Sequence, residues 1–300
     1  MSTYMQLTPT EWETKIEYFK KAFSPCKLCP RECGADRGNN LPGICQAGNQ
    51  VKIASYSLHF GEEPPISGSA GSGTIFFSGC TLKCHFCQNY PISQLNNGEF
   101  YDLDQLAGIM LYLQKKGAHN INLVSPTPHL THFVRALYRA FKKGLYIPIV
   151  YNTSGYERVE IVKHLHHLVD IYMPDFKYSD DSLALRLSGV KNYVIHARES
   201  IIEMYRQTGD LTSDDHGIAK SGLLIRHLIL PGQVKNSKDV FRTMAEDGLK
   251  STYLSLMSQY FPAYRACDKD LNRRITPEEY REVKAYALSM GFSNGWFQDI

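Results

Sequence analysis

Three cysteines constrain this chain more than any other feature of its sequence. Cys80, Cys84 and Cys87 form a C-x3-C-x2-C run directly after the short apolar segment Thr74-Ile-Phe-Phe77, which is typical of a strand. A cubane iron–sulfur cluster normally takes four cysteine thiolates. Three closely spaced cysteines can hold three of its irons and leave the fourth open, and an open metal position distinguishes a reactive centre from a structural one. The motif predicts a metal centre that carries out chemistry.

The same three cysteines leave a second interpretation open. A zinc knuckle also uses closely spaced cysteines, with His85 or a distant residue as its fourth ligand. That interpretation predicts a colourless, zinc-held binding module. A third interpretation is a non-catalytic iron–sulfur protein that stores or passes electrons.

Composition indicates an ordinary globular protein. The chain has 300 residues, of which 43% are hydrophobic and 21% charged, so one large domain or a main domain with a small appendage is expected. A net charge of +3 argues against nucleic acid or an anionic membrane as the partner. There is no apolar run long enough to span a bilayer, and the N-terminus lacks the features of a secretory signal. We therefore expect a cytoplasmic protein.

Four further cysteines form a separate group near the N-terminus. Cys26, Cys29, Cys33 and Cys45 follow a C-x2-C-x3-C-x11-C pattern. Cytosolic thiols are kept reduced, which favours metal ligation over disulfides. Four thiolates predict a closed second site, either structural zinc or an auxiliary iron–sulfur cluster. The alternative is a set of reduced cysteines that pack a loop-rich segment. The eighth cysteine, Cys267, stands alone and is expected to be inert.

The apolar pattern divides the chain in two. Residues 1–70 are rich in Cys, Gly, Pro and Asn, and we predict that they form a Cys-rich, loop-rich metal-binding extension. Residues 71–300 alternate strand-like and helical patterns. The predicted strands are 75–77, 121–124, 147–151, 170–173, 223–230 and 252–256. The predicted helices are about 103–116, 130–143, a segment from 157, segments within 182–207, 237–246 and 277–290.

Six strands alternating with helices predict an α/β fold with a parallel sheet covered on both faces. Right-handed crossovers would curl such a sheet into a barrel or leave it doubly wound. In barrels of this type the reactive groups lie on the loops after the carboxyl ends of the strands. Each predicted strand is followed by a polar loop, and the loops after the cysteine run are Ser125-Pro-Thr-Pro128, Asn152-Thr-Ser-Gly155, Pro174-Asp-Phe-Lys177, Pro231-Gly232 and Ser258-Gln259.

The cysteine run resembles the hallmark of the radical S-adenosylmethionine (radical SAM) superfamily, C-x3-C-x-aromatic-C, with Phe86 in the aromatic position. Further segments resemble one branch, the PflX-like proteins related to pyruvate formate-lyase activating enzyme. The resemblance covers nearly the whole chain from Cys26 onward. The segments that carry it are Gly71–Cys80, Cys87-Gln-Asn-Tyr90, Asn152-Thr-Ser-Gly-Tyr156, Met173-Pro-Asp-Phe-Lys-Tyr178, Arg226-His-Leu-Ile-Leu-Pro-Gly232 and Ser255-Leu-Met-Ser-Gln-Tyr260.

The resemblance implies a partial (β/α)6 barrel of the radical SAM type. It implies that Cys80, Cys84 and Cys87 bind a [4Fe–4S] cluster and that SAM chelates the open iron. An electron from a reductant such as flavodoxin or ferredoxin would cleave SAM, giving a 5′-deoxyadenosyl radical that abstracts hydrogen from a substrate. The substrate would be a glycine of a partner protein, a peptide or a metabolite.

The resemblance also implies roles for residues on the loops. The backbone around Phe86 would contact adenine, and Asn152 and Ser154 would face the ribose. Ser125 and Thr127 occupy the place where activating enzymes carry a Gly-Gly-Glu segment that holds the SAM amino group. This chain lacks that segment, which favours modification of a peptide or small molecule over activation of a glycyl-radical enzyme.

Residues after the later strands complete the implied SAM site. Lys177 would lie near the SAM carboxylate, in an Asp-x-Lys pair with Asp175. Arg226 and Leu228 would flank the methionine portion and the adenine. Leu256 and Gln259 would form the floor of the site.

Overall fold

Six parallel strands form the centre of the fold, as the alternating pattern predicts. The computed structural model describes residues 2–267 and 269–298. Its strands are β1 (Val51–His59), β2 (Ser72–Phe77), β3 (Glu99–Tyr101), β4 (Ile121–Val124), β5 (Ile149–Thr153), β6 (Ile171–Pro174), β7 (Thr212–Ser213), β8 (Ala219–Leu228), β9 (Tyr253–Met257) and β10 (Gly295–Phe297). The strand order is β10-β9-β8-β6-β5-β4-β2-β1-β3, with β7 paired to β8. Strands β2, β4, β5, β6, β8, β9 and β10 are parallel to their neighbours in this series, so the fold is α/β with an open, partial barrel sheet.

Helices lie before and between the strands of the sheet. They are α1 (Pro9–Phe23), α2 (Pro64–Ser67), α3 (Tyr90–Ser93), α4 (Leu103–Lys115), α5 (Leu130–Lys142), α6 (Val159–Leu165), α7 (Asp181–Ser188), α8 (Tyr193–Thr208), α9 (Val234–Glu246) and α10 (Pro277–Ser289). Capping boxes begin α1, α4 and α10, where Thr8, Asp102 and Thr276 each accept a hydrogen bond from the third helical residue. Within the described part of the chain, none of the helices has the length and apolar character of a membrane span.

The predicted strands and helices are confirmed, with small differences in their bounds. The strand predicted at 147–151 begins instead at Ile149. Pro148 precedes it and has no N–H to donate to a sheet. Three regular elements of the N-terminal seventy residues, α1, β1 and α2, are absent from the prediction.

Strand β1 makes the N-terminal segment part of the sheet. It pairs antiparallel with β2 from Ile53 opposite Phe77 to His59 opposite Ser72, and its first residues pair with β3. The predicted boundary between residues 70 and 71 thus falls between two strands of one sheet. The division into 1–70 and 71–300 stays a prediction.

The two faces of the sheet bury different residues. Tyr172 and Leu256 point to the main core, which the helices cover. Met173 and Leu224 point to the opposite face, where Ile66 of α2 packs against them. This division follows from the alternation of side chains along a strand. The segment after β1 therefore fills the concave side of the sheet.

A buried carboxyl group supports the carboxyl end of β5. Glu157 is fully buried, and its Oε1 accepts hydrogen bonds from the hydroxyls of Thr127, at 2.5 Å, and Thr153. Its Oε2 has no hydrogen-bond partner among the described residues. Burial raises the pKa of Glu157 to about 7, although the hydrogen bonds from the two threonines act in the opposite direction.

We expect Glu157→Gln to flatten the pH dependence of stability. The pKa of this carboxyl is higher in the folded protein, at about 7, than its ordinary 4.5. Its contribution to stability is therefore complete below pH 4.5 and is lost as the pH rises through 7. That loss is on the order of 3 kcal/mol, and an uncharged amide avoids it. Anaerobic urea denaturation at about pH 5 and about pH 8 measures the change in the free energy of unfolding.

The exposed Glu160 on α6 provides the control, since Glu160→Gln should leave the pH dependence as in the wild type. If the free energy of unfolding falls by the same amount between the two pH values in the wild type and in Glu157→Gln, Glu157 does not have the raised pKa assigned to it.

Candidate functional site

A cleft of about 1080 Å³ lies at the carboxyl ends of the parallel strands. Its walls include Cys80, Cys84 and Cys87, which follow β2. The ends of strands β5 and β8 and the loops after β4, β5, β6 and β9 contribute polar side chains to the same cleft. These side chains are Ser125, Asn152, Ser154, Asp175, Lys177, Arg226 and Gln259. Residues that are far apart in the sequence thus meet at one rim of the sheet.

Two of the three thiols of the cleft contact hydroxyl groups. The Cys84 sulfur lies 2.9 Å from Ser188 Oγ, and the Cys87 sulfur lies 3.0 Å from Ser93 Oγ. Burial raises the pKa of Cys80 to about 11 and that of Cys84 to about 12. The thiols of Cys80 and Cys84 therefore hold their protons tightly, and a metal that binds them has to displace these protons.

A glycine brings the N-terminal segment against this loop. Gly79 has a φ of +82°, which favours glycine. A Cβ at this position would lie 2.3 Å from the carbonyl oxygen of Cys45. The backbone next to Cys80 thus touches the backbone of the N-terminal cysteine group.

A charged cluster lines the same cleft as the cysteines. Asp175 accepts hydrogen bonds from Lys177 Nζ at 2.6 Å and from Arg226 Nε at 2.8 Å. Burial raises the pKa of Asp175, but the positive charges of Arg226 and Lys177 outweigh it and hold the pKa below its ordinary value. Arg226 Nη2 also donates to Asn152 Oδ1 at 2.7 Å. One connected network therefore fixes these four side chains.

Glu62 joins the same network and is absent from the sequence-based site. Its Oε2 lies 3.4 Å from Arg226 Nη1, and its Oε1 accepts a hydrogen bond from Asn122 Nδ2 at 3.0 Å. Glu62 and His59 line the cleft because the chain turns into the concave side of the sheet after β1. The alternating apolar residues Val51 and Ile53 are the sequence signal that could have predicted strand β1, and with it the place of the residues that follow this strand.

A second pocket adjoins the cleft and is lined by Phe86 and Leu228 together with Met257. Leu256 does not line either pocket. It is fully buried in the main core on the helix-covered face. Neighbouring residues of a strand point to opposite faces, so Met257 takes the place expected for Leu256.

Thr127 also lies away from the cleft. Its hydroxyl is buried against Glu157, and it lines a smaller pocket near the N-terminus. Ser125 does line the cleft, with a φ of +56° that turns the chain at the end of β4. Of the two residues implied to hold the SAM amino group, the structure brings only Ser125 near the three cysteines.

The smaller pocket contains all four cysteines of the N-terminal group. We call it the N-terminal cysteine pocket; it is lined by Cys26, Cys29, Cys33 and Cys45 with Leu28, Arg31, Arg37, Ile44, Thr81, Thr127 and Pro128. Burial raises the pKa of the Cys29 thiol and that of the Cys45 thiol. Across the described residues, no three His, Cys, Asp or Glu side chains are placed to hold one metal ion.

Sequence comparison identifies the family. Residues 74–242 match the model of the Radical SAM superfamily. An uncharacterised protein of Methanocaldococcus jannaschii is 32% identical over 289 residues, which is 92% of this chain and 78% of that protein.

Solved structures of similar fold are more distant. The structure of anSMEcpe with bound AdoMet is 12% identical, with a TM-score of 0.48, over 73% of this chain and 61% of that one. SuiB of Streptococcus suis bound to S-adenosylmethionine is also 12% identical, with a TM-score of 0.46, over 73% of this chain and 48% of that one. The chain spans less than two thirds of the length of either structure.

The matched region begins in β2, includes the cysteine run and extends through most of the parallel sheet. The chain belongs to the radical SAM superfamily, and this membership implies an enzyme that uses a [4Fe–4S] cluster and SAM.

Proposed function

We propose that Cys80, Cys84 and Cys87 bind the [4Fe–4S] cluster and that the cleft beside them binds SAM. When bound, the cluster supplies one electron to the SAM sulfonium, which yields methionine and a 5′-deoxyadenosyl radical. The radical abstracts hydrogen from a substrate. The observation that carries this proposal is the single cleft that is lined both by three thiols and by a fixed cluster of charged and amide side chains.

The surroundings of the thiols fit such a cluster. Ser188 and Ser93 place hydroxyls at hydrogen-bond distance from two of the sulfurs, and Tyr178 Oη lies 2.5 Å from Ser188 Oγ. Hydroxyls donate to thiolate sulfur, and such bonds orient the ligands and stabilise their negative charge. Cys84 therefore has a relay of two hydroxyls behind it.

The charged cluster fits the amino-acid part of SAM. Lys177 has three ammonium hydrogens, and Asp175 accepts one of them while holding the side chain in place. The remaining donors suit the SAM carboxylate. Ser125 is the residue of the fourth-strand loop that we propose for the SAM amino group. Glu62 acts as a positioning residue, because it lines the cleft and forms an ion pair of 3.4 Å with Arg226.

The nucleoside part of SAM would lie along the neighbouring strands. Arg226 donates a hydrogen bond to the oxygen of the Asn152 amide. The two amide hydrogens of Asn152 are therefore available to donate to the ribose hydroxyls. Ser154 lines the same wall. Phe86 and Leu228 give the adjoining pocket an apolar surface for adenine, and Gln259 lies between the two pockets.

We further propose that the chain is a PflX-like member of the family. The motifs after the later strands support this branch. A serine and a threonine stand where activating enzymes carry Gly-Gly-Glu, so we favour a peptide or small molecule as substrate over the glycine of a partner enzyme. A cytoplasmic flavodoxin or ferredoxin would supply the electron.

The Cys84→Ala variant should lose SAM cleavage. Removing one of three thiolates leaves the cluster without its protein ligand at that iron. After anaerobic reconstitution and reduction with dithionite, mass spectrometry measures 5′-deoxyadenosine formed from SAM. Cys267→Ala is the control, because this cysteine is exposed and outside the cleft. No product from the wild type, or equal product from Cys84→Ala, would overturn the proposal.

The Lys177→Met variant should bind SAM roughly 10- to 100-fold more weakly, since a hydrogen bond to a charged group contributes about 1.5–3 kcal/mol. Equilibrium dialysis with the reconstituted protein measures the SAM dissociation constant, and the cluster absorbance checks that the metal site is intact. The matched control is Lys235→Met, whose side chain is 89% exposed. An unchanged affinity in Lys177→Met would remove Lys177 from the SAM site.

A further inference from the structure

The N-terminal cysteine pocket lies directly behind the loop that carries Cys80. Thr81, the residue after Cys80, lines this pocket, and its carbonyl accepts a hydrogen bond of 2.6 Å from Arg31 Nε. On the other side of Cys80, Gly79 touches the carbonyl of Cys45. A single layer of backbone therefore separates the pocket from the cleft.

All four cysteines line this pocket, and at least two of their sulfurs lie close together. A Cβ at Gly43 would lie 3.0 Å from the Cys33 sulfur and 3.7 Å from the Cys45 sulfur. Even so, no three metal-binding side chains of the described chain are placed around one ion. This is equally true of the three cysteines of the cleft, whose cluster the family implies. Four zinc thiolates all lie about 2.3 Å from one ion, whereas each thiolate of a cubane binds a different iron. Four cysteines suit either metal group, but only a cluster can pass electrons, so the single layer of backbone between this pocket and the cleft favours a cluster over zinc.

A buried cation next to the pocket indicates that it carries negative charge. Arg37 is fully buried. Its guanidinium donates to the carbonyl of Gly48, approaches the Cys26 sulfur at 3.9 Å and stacks 4.4 Å from the Phe23 ring centroid. Burying a cation is costly unless an anion compensates it. Thiolates bound to metal supply that anion, whereas four neutral thiols do not.

A second buried cation lies on the cysteine loop. The Lys83 ammonium is buried and has no hydrogen-bond partner among the described residues. Its backbone N–H donates to the carbonyl of Ser188, whose hydroxyl lies against the Cys84 sulfur. An anionic metal centre nearby would compensate this buried charge.

We propose that the N-terminal cysteine pocket holds a second iron–sulfur cluster, ligated at every corner by protein, which passes electrons to the SAM-cleaving cluster. The relay rests on the proposed function; the metal assignment does not. One electron enters from a reduced low-potential flavoprotein or iron–sulfur protein and reduces the second cluster. The electron then moves through the backbone around Cys45, Gly79 and Cys80 to the first cluster and on to the sulfonium. The second cluster returns to its oxidised state, and no proton is transferred.

A variant that lacks the first cluster isolates the second. In this variant Cys80, Cys84 and Cys87 are all replaced by alanine, and the protein is reconstituted anaerobically with iron, sulfide and an equal amount of zinc. We expect two or four irons per chain with equal sulfide, and an EPR signal on reduction that SAM leaves unchanged. Adding Cys29→Ala and Cys33→Ala should abolish metal uptake. One zinc per chain, or no metal, would overturn the proposal whether or not the wild type cleaves SAM.

The relay has its own test in the protein that keeps the first cluster. With reduced flavodoxin as donor, Cys29→Ala/Cys33→Ala should form 5′-deoxyadenosine at least tenfold more slowly than the wild type. With dithionite, which reaches the first cluster directly, the two proteins should differ much less. Iron content and SAM affinity check that the first cluster is intact. Equal rates with flavodoxin would show that electrons do not pass through the pocket.

Discussion

The register of the parallel strands is the constraint on which the rest of the site depends. Val124 is level with Asn152, Asn152 is level with Met173, and Asp175 bridges to Arg226. Side chains on a strand alternate between faces, so a slip of one residue would turn Asn152 and Arg226 to the helix-covered core. The hydrogen bond between Arg226 and Asn152 and the ion pair between Arg226 and Asp175 exist because this register places them on the same face.

The balance of buried charge differs between the cleft and the N-terminal cysteine pocket. Buried cations normally require an anion nearby. Arg226 and Lys177 have Asp175 and Glu62 as carboxylate partners, so the charged cluster of the cleft is balanced by the protein alone. Arg37 lies against the Cys26 sulfur instead. This difference is why we assign anionic metal centres to the sulfurs and a ligand-positioning role to the cleft cluster.

The sequence predicted most of what depends on local pattern. Strands, helices and the places of Ser125, Asn152 and Lys177 near the carboxyl ends of strands follow from apolar periodicity and from the carboxyl-end rule for parallel sheets. Glu62 could not be predicted in the same way, because its place in the cleft depends on β1 pairing with a strand that follows it in the chain. The side of the strand on which Leu256 lies depends on a single residue of register, and the structure assigns the pocket to Met257.

The central claim is that SAM binds directly to an iron that the protein leaves free. Electron–nuclear double resonance on the reduced, reconstituted protein tests it, with SAM labelled by 15N at the amino group. We expect a 15N hyperfine coupling to the cluster. With unlabelled SAM this 15N signal should be replaced by a 14N signal. A reduced cluster that shows no such coupling while SAM is bound would contradict it.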